Sequence, residues 1–147
     1  MADVVNEVVS LALDGSGTIS AWGDSANGGN NAPTGSGFVS IASTTSAFAA
    51  LDGSGTISAW GDSANGGSNA PTGSGFVSIA STKWAFAALD ASGTISAWGH
   101  SDYGGSNAPT GSGFVSIAST CCAFAALHAS GTISAWGASG YGSSNAP

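Results

Sequence analysis

Small and apolar residues alternate along three short runs that return throughout the chain. In the copy at 38–60 these are Phe38-Val39-Ser40-Ile41-Ala42-Ser43, Ala47-Phe48-Ala49-Ala50-Leu51 and Thr56-Ile57-Ser58-Ala59-Trp60. Short runs rich in Val, Ile, Phe, Thr and Trp predict β-strands, and no segment sustains a helical spacing of apolar residues. In the third run Ile57 and Ala59 share one face, while Thr56, Ser58 and Trp60 share the other. In the second run Ala47, Ala49 and Leu51 lie opposite Phe48 and Ala50. Both faces of that middle strand are apolar, whereas a sheet with one wet face alternates apolar with polar. The pattern predicts a sheet sandwiched between two copies of itself, as in a propeller blade or one layer of a stack.

The pattern repeats. Trp22, Trp60, Trp98 and Trp136, each followed by Gly, are spaced 38 residues apart. Units of about 1–33, 34–71, 72–109 and 110–147 follow, as a single repeat domain spanning residues 1–147. The expected fold is all-β, with four tandem three-stranded antiparallel units that are propeller-blade-like, or alternatively a stacked β-solenoid. Between the second and third strands the turn reads Asp52-Gly53-Ser54-Gly55, but Asp90-Ala91-Ser92-Gly93 and His128-Ala129-Ser130-Gly131 in later units. The first Gly is replaceable and the second never changes. This predicts a left-handed residue at Gly17, Gly55, Gly93 and Gly131. Asp14, Asp52 and Asp90 head these turns and are read as Asx-type turn formers. The segment from Asp62 to Gly75 joins consecutive units. It is long for an unstructured connection, so it is read as holding a short fourth strand near Asn69-Ala70 or as a functional surface loop.

Composition narrows the function classes. Only 6% of residues are charged, against roughly 25% in ordinary domains. Gly is frequent, at 24 residues, but the apolar residues fixed in every unit exclude a disordered chain. Net charge is −7, and Lys83 is the only basic side chain. Such a surface cannot neutralise phosphates, which argues against nucleic acid and against an anionic membrane surface. No run approaches the ~20 apolar residues of a membrane span, and Met1–Val9 does not read as a signal peptide. Location stays unassigned, with an extracellular or cell-surface setting favoured if the chain is a fragment of a longer array.

The shared pattern, apolar-Ala-Leu-x-x-x-Gly-x-Ile-x-Ala-Trp-Gly-x-x-x-x-Gly, is carried in the second unit by Ala50, Leu51, Gly55, Ile57, Ala59, Trp60, Gly61 and Gly66. It resembles the repeats of the regulator-of-chromosome-condensation family of β-propellers, and the resemblance recurs in all four units. It implies blade-like β-structure and a non-catalytic interaction role. The units here are shorter than that family's repeats. With one Lys and no Arg, this chain lacks the charged partner surface that nucleotide exchange or chromatin binding implies, so those functions are not carried over.

No nucleophile elbow, dinucleotide loop or metal-binding motif is present, so no catalytic residue, metal ligand or cofactor is assigned. The four repeat tryptophans are read as packing residues between units rather than as sugar-stacking platforms. Cys121 and Cys122 are read as two free thiols at a turn, too far along the strand from His128 to share a metal with it. The turn before the second strand varies most, reading Glu7-Val8, Thr45-Ser46, Lys83-Trp84 and Cys121-Cys122. Lys83, Trp84, Cys121 and Cys122 are therefore the candidate contact patch. The last unit keeps its apolar face with no added charge, the first keeps most of its own although its opening strand carries Asp3 and Glu7, and each is expected to meet a neighbour. The function expected is a non-enzymatic structural or interaction module. It self-associates head to tail or closes as a small propeller, with itself or another protein as partner. A carbohydrate-binding, lectin-like propeller domain with a glycan ligand is the alternative.

Overall fold

The computed structural model describes residues 9–147. Strands β1 (Ser10–Leu13) and β2 (Ile19–Trp22) form an antiparallel hairpin. The opening strand expected for that unit, and the Glu7-Val8 turn, lie outside the described residues. Three complete units follow. Each is a three-stranded antiparallel meander with the second strand in the middle. They are β3 (Phe38–Ser43), β4 (Ala47–Asp52) and β5 (Ile57–Gly61); β6 (Phe76–Ser81), β7 (Ala85–Asp90) and β8 (Ile95–Gly99); and β9 (Phe114–Ser119), β10 (Ala123–His128) and β11 (Ile133–Gly137). The architecture is all-β and propeller-blade-like.

Register puts side chains where the alternation demands. Phe48 pairs with Trp60, Ala49 with Ala59 and Leu51 with Ile57, and the same pairing recurs in the third and fourth units. A bulge interrupts each outer pairing: Phe38 faces Asp52 while Ser40 faces Leu51. Val39 is the extra residue there, and it is exposed, as are Val77 and Val115.

Each joint between units buries the same two surfaces. Ala47, Ala49, Leu51 and Ile57 of the second unit pack against Phe86, Ala88 and Trp98 of the third. Ala85, Ala87, Leu89 and Ile95 of the third pack against Phe124, Ala126 and Trp136 of the fourth. The first joint sets Ile19 and Leu11 against Ala50, Trp60 and Phe48. The middle strand β7 therefore lends its Ala-Ala-Leu face to the next unit and its Phe-Ala face to the previous one. Alanine at these positions lets the sheets approach closely enough for the large Phe and Trp rings to fill the space between.

Backbone hydrogen bonds staple the units as well. Gly75 and Phe76 donate to the carbonyls of Ser54 and Gly55 in the preceding hairpin, at 3.1 and 3.0 Å. The N–H groups of Gly113 and Phe114 make the same bonds to Ser92 and Gly93. The connection between units is a structured loop. It holds a single 3-10 turn (Ser63–Asn65 in the second unit) and no strand at Asn69-Ala70. Asn69 instead takes a left-handed conformation with φ +60°, as do Asn31, Asn107 and Asn145. A residue in that conformation breaks the extended backbone a strand needs, which overturns the fourth-strand expectation.

Candidate functional site

Three places gather unusual side chains: the hairpin turns, the variable turn of the third unit, and the faces at the two ends of the array.

In the hairpin turns Gly17, Gly55, Gly93 and Gly131 have φ between +76° and +90°. A Cβ on Gly55 would also lie 2.6 Å from the backbone nitrogens of Gly75 and Phe76, where the next unit is stapled on. The Asp at the head of each turn organises the loop. Asp52 Oδ1 accepts from the Ser54 N–H (2.9 Å), the Ser54 hydroxyl (2.6 Å) and the Thr56 N–H (2.9 Å). Asp14 and Asp90 do the same. The Ser54 hydroxyl, then the Thr56 amide, lower the Asp52 carboxyl below its ordinary value. His128 takes over as acceptor in the fourth unit. Its Nδ1 receives the Ser130 N–H at 3.1 Å, which leaves Nε2–H to donate to the Ser112 carbonyl at 3.1 Å. These are structural turns, ordered by the acceptor side chain at the head of each loop.

The third unit carries a cluster absent from its sisters. Trp84 lies edge-on to Tyr103 with ring centroids 4.4 Å apart, and His100 sits 5.5 Å from Trp84 and 5.3 Å from Tyr103. Lys83 Nζ stands 4.8 Å over the Trp84 ring, within reach of a cation–π interaction. All three rings are half-buried, and Lys83 is exposed. In the second unit the same positions hold Ser46, Asp62 and Asn65, where the Asn65 amide donates to the Ser46 hydroxyl at 3.1 Å. A polar triad has been replaced as a set by an aromatic one. Trp84 thus packs within its own unit. His100 and Tyr103, in the following loop, were not singled out from the sequence. Each belongs to a different variable position, and only the fold brings 84, 100 and 103 together.

The rest of the candidate patch is divided. Cys121 is exposed and Cys122 buried, both as free thiols. The hydrogen bond with Cys121, then burial, pushes the Cys122 thiol up. Lys83 N–H donates to the Cys121 carbonyl at 2.7 Å, and Thr45 N–H to the Lys83 carbonyl at 3.0 Å. The variable turns therefore form a backbone ladder between units, and variation is confined to their side chains. Among the described residues no group of three His, Cys, Asp or Glu side chains is placed to hold a metal, and no helix is long and apolar enough to cross a membrane.

The repeat tryptophans build the joints. Trp60, Trp98 and Trp136 stack on Phe48, Phe86 and Phe124 at 5.1–5.3 Å between centroids. Each indole N–H donates, at 3.0 Å, to a carbonyl of the preceding unit: Gly28, Gly66 and Gly104 respectively. With 4% of their surface exposed, these three have no face left for a sugar. Trp22 differs, being 53% exposed, and no Phe of its own unit stacks on it as Phe48 does on Trp60. At the other end Leu127 and Ile133 are 40% and 38% exposed, whereas Leu51 and Ile57 are 4% and 8%. A recess of about 120 Å³ opens beside them, lined by Ala118, Thr120, Ala123, Ala125, Tyr141 and Gly142 among others.

No protein-family model matches this chain, and no curated protein does. Among solved structures it is similar to the crystal structure of human WBSCR16, with a TM-score of 0.62 and 16% identity. The likeness covers 92% of this chain and 49% of that one, so the chain spans about half the length of that neighbour. At this identity the likeness is one of fold. It supports the propeller-blade-like architecture and favours blades over a stacked solenoid.

Proposed function

We propose that this chain is a non-enzymatic interaction module. Its blades are of the regulator-of-chromosome-condensation type shortened to 38 residues, and it works by associating through the open faces at the ends of the array. The observation that carries this reading is the exposure of surfaces that every inner unit buries: Trp22 at one end, Leu127 and Ile133 at the other. Among the described residues neither end carries a charged cap, and an uncovered apolar face of this kind favours association. The exposure of both ends also favours joining between chains over closure of four units on themselves. Light scattering across a wide concentration range tests it. Concentration-dependent particles larger than one chain are expected, and a strict monomer throughout would overturn it.

A second reading rests on the aromatic cluster of the third unit. Half-exposed Trp84 and Tyr103, with His100 and Lys83 beside them, form a surface suited to stacking a sugar ring, which supports a lectin-like reading with its site in the third unit instead of one in the long loop of every unit. A glycan array followed by Trp84→Ala tests it. Loss of a glycan signal in that variant supports the reading, and no signal from the unaltered chain removes it. The single Lys and net charge of −7 argue against nucleic acid and anionic membranes as partners.

A further inference from the structure

The two open ends of this array are the two halves of one joint. We infer that a second copy of the chain docks its first unit on the fourth. Trp22 of one copy then lies over the recess beside Gly142 of the other, its indole N–H donating to the Gly142 carbonyl. This deepens the association reading above and rests on it.

The joint is already present three times within the chain. In each, the Trp of one unit donates to the carbonyl of a Gly in the preceding loop, 32 residues earlier. Gly142 holds that loop position in the fourth unit, with φ +105° against +96° to +102° at Gly28, Gly66 and Gly104. At the inner joints a Cβ on this Gly would collide with the incoming Phe: 2.5 Å from Phe86 at Gly66 and 2.5 Å from Phe124 at Gly104. At Gly142 nothing lies within 4 Å. The recess beside it is lined by Ala118, Thr120, Ala123, Ala125 and Tyr141. The third unit's equivalents, Ala80, Thr82, Ala85, Ala87 and Tyr103, lie where Phe124 and Trp136 pack. The socket at the end of the array is therefore a vacant copy of one that is filled inside it.

The plug is present as well, with one difference. Trp22 pairs in register with Ser10, where Trp60 pairs with Phe48. The first unit presents the indole donor without the Phe that stacks on it elsewhere. The joint between copies thus keeps the indole and its hydrogen bond but lacks one ring, so it is weaker than the inner joints.

Because this contact pairs two different faces, it has a signature that no symmetric face-to-face dimer shares. Trp22→Ala removes the plug and leaves the socket. Leu127→Lys spoils the socket face and leaves the plug. Both residues are exposed, so both variants fold. Sedimentation velocity on each variant alone is expected to show monomers, and an equimolar mixture is expected to show one-to-one pairs and nothing larger. Ser10→Phe, which restores the missing ring, is expected to lower the Kd of association on the order of tenfold. If Trp22→Ala associates as the unaltered chain does, or if the mixture stays monomeric, this joint is overturned while association through another surface stands. If the unaltered chain is itself monomeric at every concentration, the association reading falls with it.

Discussion

At the scale of single residues, the hairpin Gly shows how one position serves two levels of structure. Comparison of the units within the sequence was enough to pick Gly55 over Gly53, because Ala replaces the first Gly in the third and fourth units and nothing replaces the second. The second constraint was not legible there: Gly55 also lies under the backbone of the next unit, a contact that only packing creates. The two effects separate by position. Gly55→Ala pays for positive φ and for displacing the stapled Phe76 backbone. Gly131→Ala, with φ +90° and nothing within 4 Å, pays for φ alone, about 1–2 kcal/mol. Gly53→Ala, at ordinary φ with its nearest neighbour 3.8 Å away, is expected to be near neutral. Melting temperatures should therefore fall in the order Gly55, Gly131, Gly53. Equal losses at 55 and 131 would show that the contact with the next unit costs nothing.

At the scale of elements, the strands were legible because short runs rich in Val, Ile, Phe, Thr and Trp, apolar on both faces of the middle strand, are what burial between two neighbouring units demands. The predicted strands match the observed ones to within one residue at their ends, which is where hydrogen-bonded pairing and side-chain pattern ordinarily part. The connecting loop was not legible. Its order comes from a side-chain cap, Asp62 Oδ1 accepting the Ala64 N–H at 2.8 Å, and from left-handed Asn and Gly, none of which leaves a hydrophobic period. The turns supply a pH test. Asp14, Asp52 and Asp90 have carboxyls lowered from 3.8 by hydrogen bonds from Ser and Thr. A group lowered in the folded state adds stability that is present above its unfolded value and lost as pH falls through its folded value. The melting temperature should thus decline below about pH 4. Replacing all three by Asn, which keeps an acceptor oxygen but cannot ionise, should flatten that decline; an unchanged slope would assign acid sensitivity to other groups. The joints supply a second test. Trp98→Ala empties a buried ring site and should cost about 3–5 kcal/mol. Trp98→Phe retains an aromatic ring against Phe86 but leaves the Gly66 carbonyl without its donor, at about 1–3 kcal/mol. Urea unfolding of the two variants distinguishes ring from hydrogen bond, and identical losses would mean that the bond carries the whole effect.

At the scale of the molecule, each described unit is held by its neighbours on one or both sides, so stability should be distributed by position along the array. The middle strand β7 has Ala85, Ala87, Phe86 and Ala88 all fully buried, because units press on both its faces. In β10 only the Phe124 and Ala126 face is covered by a neighbour, while Leu127 stands open. Hydrogen exchange on the Trp22→Ala chain, in which the proposed joint between copies is removed, should show its slowest amides in β7 and faster exchange in β1, β2 and β11. The unaltered chain should match that profile when dilute. As its concentration rises, protection should grow at β11 and the β1–β2 hairpin while β7 stays unchanged, because docking covers the ends and adds nothing to a strand already covered twice. A uniform rise in protection would instead indicate that the whole array folds as one cooperative block whose stability depends on association. A flat profile at all concentrations would mean that the exposed end faces cost the end units no stability, and that nearest-neighbour packing is not what holds this array together.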